Sequence, residues 1–160
     1  MKKITKEIVG EVCTTLNNNG VAYCIVGSFV DSIYLERNKC EPYDLDILVN
    51  SREYIPIRSK YVQVFRCKSD FDIECIVSAM SFPLDVKEGK IDVKIITLER
   101  MIIRHILWAD KTSSAGTVKQ LRRAINLLLN SCYDKSLLDE YAAKLGIDKV
   151  LSNRPELSYY

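Results

Sequence analysis

Apolar side chains fall at Ile4, Ile8, Val9, Val12, Cys13 and Leu16. That spacing predicts a helix over 3–17, with one face turned inward. Asn17, Asn18, Asn19 and Gly20 end it, because these residues tolerate left-handed backbone. The apolar, partly β-branched run 21–26 predicts a short buried strand. Gly27 and Ser28 follow, then a helical pattern to Glu36 and a polar connection over 37–42. The second strand covers 44–49, where Asp44 and Asp46 alternate with Leu45, Ile47 and Val49.

Residues 51–60 have no clear period, and Pro56 interrupts any long helix there. A strand over 61–67, a polar turn at Lys68, Ser69 and Asp70, and a strand over 71–77 read as a hairpin. Another strand, 91–96, follows the turn at Glu88, Gly89 and Lys90. From Thr97 the character becomes helical. Thr97 suits an N-cap, with Glu99 and Arg100 ahead of Met101, Ile102, Ile103, Ile106 and Leu107. A second helix starts near Ser113 and Ser114 and reaches about Asn130, with Leu121, Ile125, Leu128 and Leu129 as its stripe. A third, 134–145, closes at Gly146. No repeat, low-complexity segment or linker interrupts this layout. It predicts one domain over 1–160: an α/β core over about 1–96, a helical part over about 97–150, and a tail over 151–160. The fold class is α/β (α+β), a mixed β-sheet core with helices followed by a C-terminal helical segment.

Composition narrows the function classes. Of 160 residues, 48% are apolar and 28% charged, ordinary globular usage with room for a sizeable core. The formal net charge of +2 argues against a protein that lives mainly on electrostatic DNA binding, while leaving room for a local basic patch. No apolar run approaches the roughly 18 residues of a membrane span. The polar start, Met1 to Glu7, does not read as a signal peptide, so a soluble cytoplasmic protein is expected. Six cysteines include no Cys-x-x-Cys pair, and there is one histidine, so no structural zinc is expected. Cys24 and Cys75 sit in apolar runs and read as core residues. A disulfide between Cys67 and Cys75 across the expected hairpin is conceivable.

The chemistry concentrates on Asp44 and Asp46. In a strand they project the same way, roughly 7 Å apart along the chain. Two such carboxylates repel and lose solvation, so they call for a cation between them. Hard oxygen ligands that leave positions open for phosphate point to Mg²⁺, with Mn²⁺ as its substitute. Gly27 lets backbone approach a ligand closely, and Ser28 offers a hydroxyl and an N–H where a helix begins. Phosphates held there and one or two metals on the aspartates suit an in-line displacement, which normally takes a third carboxylate from a neighbouring strand.

Val26-Gly27-Ser28 followed by Tyr43-Asp44-Leu45-Asp46-Ile47-Leu48-Val49 resembles the signature of the nucleotidyltransferase superfamily typified by DNA polymerase beta. The likeness is best to its small single-domain members, some of which occur in toxin–antitoxin systems. Ile95-Ile96-Thr97-Leu98-Glu99 is similar to a later element of those proteins, so the resemblance covers about 21–130. It implies a nucleoside triphosphate bound near Gly27 and Ser28, with Mg²⁺ on Asp44 and Asp46. A hydroxyl acceptor, on RNA, protein or a small molecule, attacks the α-phosphate and pyrophosphate leaves. A third metal-holding carboxylate is implied too: Asp72 first, then Glu74 on the same strand face, with Asp92 as a further candidate. Arg37, Lys39 and Arg104 are the candidate nucleotide-binding cations. The basic and hydroxyl pair that related families place before the first aspartate is absent, since Cys40-Glu41-Pro42-Tyr43 precedes Asp44. Tyr43 can stack on a base. His105 reads as structural. Two other functions stay open. One is an inactive relative that binds nucleotide or a toxin–antitoxin partner. The other is a small RNA-binding protein using Lys119, Arg122 and Arg123.

Overall fold

A computed structural model describes residues 3–36 and 42–148. The chain divides into two compact units, Met1–Thr97 and Leu98–Tyr160.

The first unit begins with α1 (Lys6–Asn18), where the Thr5 hydroxyl oxygen accepts from Ile8 N at 3.4 Å as N-cap. There follow β1 (Tyr23–Val26), α2 (Ser28–Tyr34), β2 (Leu45–Val49), β3 (Val62–Arg66), α3 (Asp70–Val77), β4 (Met80–Val86) and β5 (Gly89–Ile95). The strands form one mixed sheet in the order β3-β2-β1-β5-β4. β1 runs antiparallel to β2 and parallel to β5; β2 and β3 are parallel, and β4 and β5 antiparallel. Cys24, Ile25, Val26, Ile47 and Leu48 of the two central strands are at most 1% exposed, which is why their sequences read as near-continuous apolar runs. α1 packs on β4 and β5. A Cβ on Gly10 would stand only 3.0 Å from Ile91 Cδ1 and 3.1 Å from Val86 Cγ1, so a glycine lets this helix sit close to the hairpin. The architecture is the mixed-sheet α+β class that the sequence pattern predicts.

Two segments differ from expectation. Residues 71–77 are not a strand: Asp70–Val77 is α3. The Ser69 hydroxyl oxygen accepts from Asp72 N at 3.2 Å, and Asp72 Oδ2 accepts from Lys68 N at 3.2 Å. This reciprocal cap, with Asp70 and Asp72 in the first turn, favours a helix over the alternation of Phe71, Ile73, Cys75 and Val77. Phe71, Cys75 and Ile76 are buried at helical spacing, while Ile73 and Val77 are exposed. The expected hairpin is therefore absent, and Cys67 and Cys75 are not joined by a disulfide. β4 was not expected. It is an edge strand, where Pro83, with no N–H to donate, is tolerated. The aperiodic stretch 51–60 forms no helix or strand. Its start is held by Arg66, whose Nη1 donates to the carbonyls of Ser51 at 3.1 Å and Glu53 at 2.8 Å.

The second unit holds α4 (Leu98–Ala109), α5 (Ser114–Asn130) and α6 (Lys135–Lys144). α4 and α5 pair as an antiparallel hairpin: buried His105 Nδ1 lies 2.7 Å from Gln120 Oε1, and Thr117 Oγ1 donates to the Ala109 carbonyl at 2.8 Å. Glu99 Oε1 accepts from Asp134 N at 2.7 Å at the start of α6, and the Arg100 guanidinium lies 4.2 Å from the Tyr141 ring centre. Thr97, expected to cap α4, keeps its hydroxyl buried without a hydrogen-bond partner among the described residues.

The burial pattern sets the order of thiol reactivity. Burial pushes the Cys13 thiol up to about 11, although the neighbouring Tyr23 hydroxyl pulls the other way. Alkylation followed by peptide mass analysis should modify exposed Cys132 rapidly and leave Cys13, Cys24 and Cys75 protected until the protein is unfolded. A Cys67–Cys75 disulfide, or equal labelling of Cys13 and Cys132 in the native state, contradicts this fold.

Candidate functional site

The candidate residues gather where β1 ends and β2 and β3 begin. Val26 stands opposite Asp46 across the antiparallel pair, and Asp46 stands opposite Gln63 across the parallel pair. Residues opposite one another in a sheet project to the same face, so Asp46 and Gln63 share a side. Asp44 lies just ahead of β2 and is tied to the same cluster, because Gln63 Nε2 donates to Asp44 Oδ2 at 2.6 Å. Asp44 and Asp46 are both half-buried, while Leu45 and Ile47 between and beyond them are fully buried. At its start β2 thus turns Asp46 to one face and buries Leu45 and Ile47 on the other, and Gln63 ties Asp44 to Asp46's face.

Gly27 has φ 80° and ψ −156°, a conformation open essentially to glycine alone. A Cβ at this position would collide with Asp46 Oδ2. The close approach that glycine permits is therefore made first by the chain's own carboxylate. Ser28 is the first residue of α2 and is half-buried. α2 is fixed at its start by Asp31 N donating to the Gly27 carbonyl at 3.1 Å, and at its end by the Tyr34 hydroxyl donating to the Ile96 carbonyl at 2.7 Å. Buried Phe29 and Val30 hold it against the sheet.

The implied third carboxylate is not found where the sequence places it. Asp72 and Glu74 lie on α3, not on a strand of the sheet, and the Asp72 carboxylate caps that helix. The strand geometry that recommended them is gone. Asp92 is on β5, exposed and opposite Pro83 of the edge strand. Among the described residues, no three His, Cys, Asp or Glu side chains form a group able to hold a metal ion. The place beside the pair, on the neighbouring strand, belongs to Gln63. Two carboxylates with an adjoining amide still suit a single hard divalent cation that keeps several waters, since Mg²⁺ is commonly held by one or two carboxylates plus phosphate. The donors present fit one such ion.

The candidate cations are distributed differently. Arg37 and Lys39 lie outside the described residues. Arg104 belongs to the helical unit, where it is buried and its guanidinium lies 5.0 Å from the Trp108 ring centre. Tyr43, next to Asp44, is 51% exposed. Lys119 and Arg122 are exposed on α5, and Arg123 is half-exposed.

Gln63 is the residue that sequence reasoning missed. Its strand is legible, but its neighbour is not. The parallel register with β2 is made across a connection with no regular structure.

The Gly27–Asp46 contact makes a direct prediction. Gly27→Ala adds strain at a positive φ and a steric clash with the carboxylate, so it should destabilise the fold by about 2–4 kcal/mol in denaturant titration. Adding Asp46→Ala should recover roughly 1 kcal/mol or more as a coupling energy. Strict additivity of the two substitutions contradicts the contact.

No protein-family model matches this sequence, and no curated protein matches it significantly. Among solved structures, the fold is similar to that of an antigenic nucleotidyltransferase-like protein from Paracoccidioides brasiliensis. The TM-score is 0.58 at 14% identity, over 96% of this chain and 90% of that one. At that identity the likeness is one of architecture: this chain has a nucleotidyltransferase-like fold.

Proposed function

We propose that the protein is a nucleotidyltransferase, moving a nucleotidyl group from a nucleoside triphosphate to a hydroxyl acceptor with Mg²⁺, or Mn²⁺ in its place. The observation that carries this reading is the Asp46 carboxylate seated on Gly27. It brings the two halves of the sequence signature together at one end of the sheet, in a chain with this fold. Asp44 and Asp46 hold the cation, which when bound offsets phosphate charge and stabilises charge developing at the α-phosphate. The Gly27–Ser28 turn offers the Ser28 hydroxyl and backbone N–H groups to phosphate oxygens. Arg37 and Lys39, the cations the resemblance nominates for phosphate, lie outside the described residues. The acceptor oxygen bonds to the α-phosphorus as the bond to the bridging oxygen breaks. Pyrophosphate leaves, and the acceptor proton passes to water. The acceptor is a hydroxyl of RNA, of a protein or of a small molecule.

A second reading is favoured by one observation. Gln63 stands beside the aspartates on the neighbouring strand, and an amide cannot take a proton from an attacking hydroxyl. On that reading the protein binds nucleotide, or a partner chain of toxin–antitoxin type, without transfer.

The assay that decides uses α-labelled nucleoside triphosphate, Mg²⁺ and pooled RNA, protein and small-molecule acceptors. Transfer of label is expected. Asp44→Asn and Asp46→Asn should each lower it by about 100-fold or more, the scale of losing a charge-stabilising group, with circular dichroism unchanged. Saturable nucleotide binding without transfer supports the second reading. Transfer that survives both substitutions overturns the site.

A further inference from the structure

We propose that Gln63 is a positioning residue for the Asp44–Asp46 pair, and that with Gln63 in place the site takes one divalent cation rather than two. This inference rests on the reading of Asp44 and Asp46 as cation ligands.

The parallel register sets Gln63 directly opposite Asp46, on the same face of the sheet. From there its side chain reaches forward to Asp44, the Nε2 group donating to Oδ2 at 2.6 Å. One glutamine therefore spans both aspartates, lying opposite one and bonded to the other. Asp44 stands outside β2, so no ladder hydrogen bond of that strand orients it. The amide supplies that orientation at no cost in charge. A donor on a ligating carboxylate fixes which oxygen faces the metal, and losing such a partner typically weakens metal binding about tenfold or more.

The charge balance leads to the same conclusion. Asp44 and Asp46 carry two negative charges, which one divalent cation matches. A carboxylate at position 63 would add a third negative charge beside the pair and favour a second cation. Glutamine has the shape of glutamate without that charge. Gln63 is also exposed to solvent, so a single cation can enter with its waters in place.

The test uses Mn²⁺ as the probe, with binding followed by electron paramagnetic resonance and calorimetry on the full chain. The wild type should bind one Mn²⁺ per chain at the aspartate pair, and Asp44→Asn should abolish it. Gln63→Ala should weaken binding about tenfold with the stoichiometry still one. Gln63→Glu should bind Mn²⁺ at least as tightly as wild type and accept a second ion. A purely structural glutamine would not produce the second ion. Circular dichroism checks that each variant is folded, and the isosteric glutamate variant keeps the test open if the alanine variant unfolds.

Two Mn²⁺ ions on the wild type overturn the inference. So do Gln63→Ala and Gln63→Glu variants that both bind like wild type while Asp44→Asn does not. No Mn²⁺ binding by wild type, or binding indifferent to Asp44→Asn, overturns the reading of the aspartates themselves.

Discussion

The Asp46 carboxylate rests against the α-carbon of Gly27, closer than any side chain on that residue would allow. Several features follow from this contact. It requires glycine twice over, once for the positive φ and once for the missing Cβ. It accompanies the pairing of Val26 with Asp46, the last rung before β1 turns into α2. A residue with a side chain at position 27 must either push β2 away or turn the carboxylate elsewhere. The end of β1, the start of α2 and the start of β2 are thus a single mechanical unit, and the candidate chemistry lies on it.

A pair of carboxylates at this place has an electrostatic cost, since like charges brought together and partly desolvated each destabilise the other's ionised form. The fold lessens that cost with a neutral donor. Gln63 bonds Asp44 without adding a formal charge, and β3 delivers it by running parallel to β2. The sequence resemblance implied a third carboxylate beside the pair. Among the described residues of this chain, the aspartate pair has an amide for its neighbour. That difference governs both the proposed metal stoichiometry and the contest between transfer and binding alone.

The elements legible in the sequence are those whose signal is local. α1, α4, α5 and α6 show helical stripes, and β1 and β2 are short apolar runs with Gly27 between β1 and the next helix. Two local signals competed at 70–77. The alternation of Phe71, Ile73, Cys75 and Val77 suggested a strand, but the reciprocal cap of Ser69 and Asp72 and the helical spacing of Phe71, Cys75 and Ile76 prevailed. β4 was hidden by Pro83, which is acceptable there because the strand is at the edge, and edge position is a property of the whole sheet. The same reason separates Gly27, Asp44 and Asp46 from Gln63. The first three are marked by turn chemistry and by charge within an apolar strand. Gln63 matters only through its register with β2, and register across an irregular connection leaves no trace in spacing. Arg104, the phosphate ligand nominated by the resemblance, is buried in the helical unit with its guanidinium over Trp108.

The central claim is that the Gly27–Asp46 junction is where a metal–nucleotide complex binds. Paramagnetic broadening of backbone amides by Mn²⁺·ATP measures this directly, because the effect falls steeply with distance from the ion. The account predicts selective loss of the amide signals of Gly27, Ser28, Leu45, Asp46 and Gln63, with the signals of the β4–β5 turn, at the far edge of the same sheet, retained. Uniform weak broadening, or selective broadening centred on α3 around Asp72 and Glu74, would contradict it.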